Sequence, residues 1–309
     1  MRSWLALSAL LLTACPSGDG NEDTDKTGDT DTDTQTGDER AFTDFVDVET
    51  NYVAGDTSCY AGTLGTETPD PTCVTEAEVS GVVEDFQEGE GVPDITVQVW
   101  NDDDISGSAS ATTQADESGN FSTTIPVCQP FGYGTSTPPE WEETKDTYEV
   151  HQIYGPGVDD VVFNSVSFAT SRLIPGLIGV EWDESTGIIA GAVYDCNEDP
   201  VQYAQVFFHD GSGAVPSVGD VFYFSITGDT ELPTSRENQA YTNTNGLWVA
   251  VNVPAGDWQV EAYGWDGSQH VMLGATQLTI KAGSVNISNI YMGISDGLSY
   301  PDSCKTPCE

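Results

Sequence analysis

The chain has 309 residues, of which 38% are hydrophobic, including seven Trp, twelve Tyr and eleven Phe; this is length for two domains and apolar mass for packed cores. Against 51 acidic residues stand 8 basic ones, a formal charge of −43. With no basic stripe to neutralise phosphates, nucleic-acid binding is excluded and docking on anionic lipid headgroups is disfavoured.

The N-terminus reads "MRSWLALSALLLTAC": one Arg, an apolar run from Trp4 to Leu12, then small residues ahead of Cys15. That is a secretory signal peptide over residues 1–14, too short for a retained transmembrane helix. "LTAC" resembles the lipobox of bacterial lipoproteins. The resemblance implies cleavage before Cys15, acylation of that residue and membrane partnership through its lipid. Pro16, rather than the Asp that resembles an inner-membrane retention signal, points to the outer membrane, facing either the periplasm or the surface. Residues 15–40 continue as an Asp/Thr/Gly tether with almost nothing apolar, which cannot offset its ordering entropy and is expected to be disordered and extended. Asp23, Asp25 and Gly28 fall in step with a calcium loop, but Thr34 stands where such a loop needs a bidentate Glu.

Residues 41–76 form an N-terminal extension carrying Cys59 and Cys73, and residues 295–309 a tail carrying Cys304 and Cys308. With Cys128 and Cys196 these make six cysteines beyond Cys15, an even number in an exported chain and hence a disulfide set. Fifteen pairings are open; only Cys59–Cys73, closing a Gly/Pro-rich stretch, is local enough to propose. Between the ends, short runs of alternating apolar and polar residues cut by Gly, Asn and Asp predict half-buried antiparallel strands. They occur twice. Gly81, Val83 and Asp85 match Gly191, Val193 and Asp195; Pro93 and "ITVQVW" match Pro200 and "AQVFFH"; "DESGNFSTTIP" matches "TNTNGLWVAVNVP". The predicted fold is all-β, two tandem sandwiches over 77–170 and 187–294. Residues 171–186, broken by Pro175, Gly176 and Gly179, are read as a packed connector rather than a helix. In the second unit Val249, Val251 and Val253 are expected on one face and Trp248, as packing, on the other.

This order of features resembles the carboxypeptidase regulatory-like domain, a small transthyretin-like sandwich. The second unit carries the resemblance through Gly191, Val193, Asp195, Pro200, Val206, Asn245, Gly246, Trp248, Pro254 and Gly256. It departs through an insert near 210–238, and the first unit departs after Pro126. The motifs are structural, so the resemblance implies a fold and little about activity.

Chemistry is sparse. A metallocarboxypeptidase needs His-x-x-Glu and a further His; His151, His209 and His270 stand in "HQIY", "HDGS" and "HVML", and none fits. No Gly-x-Ser-x-Gly elbow occurs. The related Cna B-type sandwiches cross-link an early-strand Lys to a late Asn or Asp, and neither opening strand here contains Lys. No enzymatic activity is expected. Asp102, Asp103 and Asp104 in the loop after the second strand are either a solvated acidic loop or a Ca²⁺ site, the only cofactor the sequence suggests. Trp141, Trp258 and Trp265 are candidates for stacking on a sugar. The expectation is a non-enzymatic, lipid-anchored envelope protein, binding or structural, with an envelope protein or a glycan as partner. The alternatives are a carbohydrate-binding protein and an accessory subunit of an exported enzyme or transporter.

Overall fold

The computed structural model describes residues 53, 55–138, 144–209, 221–227, 230–235 and 238–308. Cys15, the tether and Trp141 lie outside them. The described chain is an all-β protein built of sandwiches. Its first unit contains β1 (Thr75–Asp85), β2 (Thr96–Trp100), β3 (Ala111–Gln114), β4 (Asn120–Val127), β5 (Phe131–Ser136), β6 (Thr144–Lys145), β7 (Thr147–Gln152) and β8 (Asp160–Ser167). A helix, α1 (Phe168–Leu177), follows. The second unit contains β9 (Thr186–Tyr194), β10 (Gln205–His209), β11 (Val221–Thr227), β12 (Thr230–Thr234), β13 (Leu247–Pro254), β14 (Gly256–Trp265), β15 (His270–Ile280), β16 (Val285–Ile287) and β17 (Ile290–Tyr291). One turn of helix, α2 (Asp302–Lys305), lies in the tail.

The repeat read from sequence is present at the level of individual hydrogen bonds. Val83 N–H donates to the Gly119 carbonyl and Val193 N–H to that of Gly246; Val92 donates back to Val83 as Val201 does to Val193; Ala115 donates to Ile95 as Thr242 does to Ala204. Asp85 and Asp195 each fold a carboxylate over the next turn, accepting from Gln87 and Glu88 in one copy and from Asn197 and Asp199 in the other. The left-handed residues also correspond, Asp94 with Tyr203 and Gly119 with Gly246. The bridges Glu84↔Gly91 and Tyr194↔Pro200 make Gly91, not Pro93, the counterpart of Pro200, because the turn after Asp195 is one residue shorter.

Gly81 and Gly191 show why the opening strand carries glycine. Each lies opposite the aromatic residue of the strand beside it, Gly81 across from Phe121 and Gly191 across from Trp248. A Cβ on Gly81 would stand 2.6 Å from the Phe121 ring, and one on Gly191 would collide with the Ser288 carbonyl. At Gly81 the ring and Val161 fill the volume that a side chain would occupy, and at Gly191 the Ser288 main chain fills it.

In the first unit a sheet ordered β4-β1-β8-β6 faces a sheet ordered β3-β2-β5-β7. In the second, β12-β11-β13-β9-β16 faces β10-β14-β15. The units are fused: β16 runs parallel to β9 on one side and to β7 on the other, pairing Val285 with both Ile188 and Thr147. With β17 also paired to β9, ten strands form one sheet across both units. An open β7 edge would present unpaired backbone groups, and β16 covers it.

One core fills the first sandwich around Val83, Ile95, Phe121, Phe131, Tyr133 and Phe163. Another fills the second around Val206, Phe208, Trp248, Trp258, Val260 and Leu273, and takes in Trp100, Ile105 and Val150 of the first unit. A third lies on the opposite face of β9 and β13, where Ile188, Val249, Val251 and Val285 meet Ile174, Ile178, Val180 and Trp182. β13 is thus covered on both faces, which is why "LWVAVNV" is apolar at almost every position.

Two local expectations are corrected. The connector begins with a helix. Ser167 caps it, its hydroxyl accepting from Thr170 N at 3.1 Å. Gly179, at φ +71°, ends it: Gly179 N–H reaches Gly176 O and Val180 N–H reaches Pro175 O, the paired bonds of a Schellman motif. Pro175 forfeits a single bond in the last turn, too little to prevent the helix. Val253 does not share a face with Val249 and Val251, because the β9–β13 register shifts between Ala250 and Val253. Asn252 sits there at φ +63°, and the bulge turns Val253 onto the Trp248 side.

Candidate functional site

The six cysteines pair as Cys59–Cys196, Cys73–Cys308 and Cys128–Cys304, with sequence separations of 137, 235 and 176. The local Cys59–Cys73 bridge is not formed. The extension runs open between these residues and pairs with the tail, Gly65 N–H donating to Gly293 O and Asp70 N–H to Cys304 O. That path carries Cys59 to the second unit and Cys73 to the end of the chain.

The aspartates after β2 diverge. Asp103, at φ +60°, turns inward and accepts from His151 N at 2.9 Å. Asp104 caps its own loop through Ser106, and Asp102 is exposed. Their oxygens do not converge, and among the described residues no group of three His, Cys, Asp or Glu is placed to hold a metal ion. The donor set does not fit a Ca²⁺ cage. Of the aromatic candidates, Trp258 belongs to the second core, its indole N–H donating to Pro254 O at 2.8 Å and its ring edge-on to Phe208. It offers no stacking face. Trp265 is half-buried at the end of β14, with the His270 ring edge-on at 5.0 Å.

Asp103 leads instead to a polar junction in the seam between the units. His151 is the penultimate residue of β7 in the first unit, at φ +62°. Its Nδ1 shares a hydrogen bond with Thr276 Oγ1 of the second at 2.9 Å, and Ser288 Oγ lies 3.4 Å away. Burial lowers the imidazole pKa to about 4, so the ring is neutral at physiological pH. Burial, opposed by the bond from His151 N and reinforced by Asp102, raises the Asp103 carboxyl to about 7. His, hydroxyl and carboxylate in one place invite comparison with a nucleophilic triad, but the geometry is wrong. Asp103 bonds the main chain of His151 and not its ring, and Thr276 and Ser288 are 0% and 1% exposed, beyond the reach of a substrate carbonyl. The junction holds two units in register.

A second buried carboxylate pins the first sandwich. Glu149 on β7 accepts from the Tyr133 hydroxyl, from Asn164 Nδ2 at 3.0 Å and from Gln152 Nε2 at 3.1 Å. Burial raises its pKa while these donors lower it. Tyr133 stacks on Phe163 at 3.9 Å and accepts from Asn164 N, linking β5 and β7 of one sheet to β8 of the other. Neither junction was visible in sequence. Side chains bonded within them lie up to 137 residues apart, and no local spacing announces them.

No family model matches the chain, and no curated protein matches it. Among solved structures, 71% of the chain aligns with the Bacillus anthracis TIE protein at 12% identity and a TM-score of 0.22, spanning about a third (34%) of that chain. The same share aligns with 98% of shaft pilin SpaA from Lactobacillus rhamnosus GG at 9% identity and TM-score 0.23. It also aligns with 99% of BcpA, the major pilin subunit of Bacillus cereus, at 8% identity and TM-score 0.23. Likenesses this distant assign neither a family nor a role.

Proposed function

We propose that the chain is a lipid-anchored protein of the cell envelope, held to the outer membrane through Cys15, in which two carboxypeptidase regulatory-like sandwiches serve as a rigid structural or binding body. The observation that carries this reading is the set of three disulfides, each joining segments more than a hundred residues apart. Bridges of this kind persist in oxidising compartments, in line with the signal peptide and the "LTAC" motif. The bond-for-bond repeat around Asp85 and Asp195 supports the family resemblance. Burial of Trp258 in the core favours a structural role over sugar stacking.

Anchoring is tested with Cys15→Ser. The variant is expected to leave the membrane fraction or to accumulate as uncleaved precursor. Full processing with unchanged membrane association would refute the anchor. Screening the wild-type protein on a glycan array, beside a pulldown from solubilised membranes, separates a sugar ligand from a protein partner.

A further inference from the structure

The three disulfides differ in what a reagent in solvent can reach. Cys128 and Cys304 are both 0% exposed, and Cys73 is 2% exposed beside a half-buried Cys308. Cys59 is exposed and Cys196 half-buried, and both line a cavity of about 620 Å³ between the extension, the turn after β9, β17 and the tail. The main-chain N–H of Cys59 donates to Cys196 Sγ at 2.9 Å. A donor on that sulfur stabilises negative charge there and makes Cys196 the better leaving group. Exposure and leaving-group stabilisation therefore select the same reaction, attack at Cys59 with departure of Cys196.

We propose that Cys59–Cys196 is a thiol–disulfide exchange site whose reactant is a dithiol, and that its reduction releases the N-terminal extension from the second unit. One thiolate of the dithiol bonds to Cys59 Sγ. The Cys59–Cys196 bond breaks, and its electron pair leaves on Cys196 Sγ, which takes a proton from water. The second thiol, deprotonated, attacks the reductant's own sulfur in the mixed disulfide and expels Cys59 as a thiolate, which is protonated in turn. The dithiol departs as a cyclic disulfide, having given two electrons and two protons. Asp195 and Glu198 on the cavity wall repel anions, so an uncharged dithiol is a better reactant than glutathione, which carries net negative charge.

After reduction the extension keeps only weaker ties to the second unit. Asp56 N–H bonds Asp195 and its carbonyl accepts from Cys196 N–H, Asn197 Nδ2 bonds Asp56, Gly65 bonds Gly293 and Ser295, Val53 N–H reaches Trp265 O, and Val53 and Tyr60 pack on the second core. The two protected disulfides still tie the extension's C-terminal end and the first unit to the tail.

Folded full-length protein is treated with dithiothreitol without denaturant, quenched with N-ethylmaleimide over time and mapped by mass spectrometry. Cys59 and Cys196 are expected to label at least about tenfold faster than the other four, and more slowly with glutathione at equal thiol concentration. Earlier labelling of Cys73 and Cys308, or labelling of all six together, would overturn the proposal. Limited proteolysis reads the second half of it. Cleavage between residues 53 and 65 is expected to rise on selective reduction of the wild type, and equally in Cys59→Ser/Cys196→Ser. Unchanged protection of that segment in the selectively reduced protein would show that the bridge does not control the extension.

Discussion

Lys145, Lys281 and Lys305, in a chain with so few cations, each stand at a join. Lys145 bonds Glu184 at 2.9 Å and lies over the Phe168 and Trp182 rings, and Arg172 stacks on Phe168 at 4.0 Å. Lys305 bonds Glu67 of the extension, and Lys281 of the second unit sits 4.7 Å from the Tyr148 centroid and 5.4 Å from that of Trp100 in the first. Lys281→Gln is expected to lower stability by about 0.5–2 kcal/mol, read by chemical denaturation. The seam also titrates. His151 resists protonation down to about 4 in the fold against 6.5 for the ordinary imidazole, so its contribution is lost as pH falls through that interval. Asp103 has the opposite sign: its folded pKa, near 7, lies above the ordinary 3.8, so its contribution is present at low pH and lost as pH rises toward 7. The two slopes oppose each other between about pH 4 and 6.5. Asp103→Asn removes one of them, and the variant should lose stability on acidification more steeply than wild type, by about 1.4 kcal/mol per pH unit at most. Parallel stability curves for the two proteins would contradict this assignment.

At the level of elements, α1 and β13 show what a sequence displays and what it hides. Gly81, Gly191, Asp85, Asp195 and the Gly246 turn were legible because a backbone need fixes each residue type locally, and the same need recurs in both copies. The helix was hidden because Pro175 and Gly176 weigh against it in a composition reading, whereas the signals that decide are its ends, Ser167 and Gly179. Ser167→Ala should cost about 1 kcal/mol through loss of the cap, measured as a shift in the denaturation midpoint. Strand alternation places Val253 on the wrong face because it assumes an unbroken register, and Asn252 breaks it. The seam and the disulfide pairing were hidden for another reason. His151, Thr276 and Ser288 meet only when two sandwiches are placed side by side, a placement that includes β16, a strand of three residues, and Cys59 and Cys196 meet only because the extension runs back along the second unit. Gly191→Ala, which drives a methyl group into the β16–β17 connection, is expected to cost roughly 1–3 kcal/mol as the surrounding strands shift.

For the whole molecule, the shared sheet and the crossed bridges make the two units one cooperative body. The extension is stapled to the second unit and the tail to the first, so neither unit can unfold without straining the other. Calorimetry of the oxidised, tether-free protein is expected to show one transition that moves to higher temperature as NaCl relieves repulsion among the carboxylates. Two resolved transitions would mean that β16 and the seam couple the units weakly. The Cys73–Cys308 bridge has a mechanical consequence as well. A pull applied upstream of Cys59 and downstream of Cys308 runs along residues 59–73 and crosses directly through the disulfide to the far end of the chain. Along that route the chain draws out by roughly 50 Å at most, while the 235-residue separation it bypasses would unravel to about 800 Å. With Cys59–Cys196 intact the sandwiches share that load in parallel with residues 59–73, which cap how far they can be drawn out; once that bridge is reduced, both hang beside the line of force as a closed loop and their folds are unloaded.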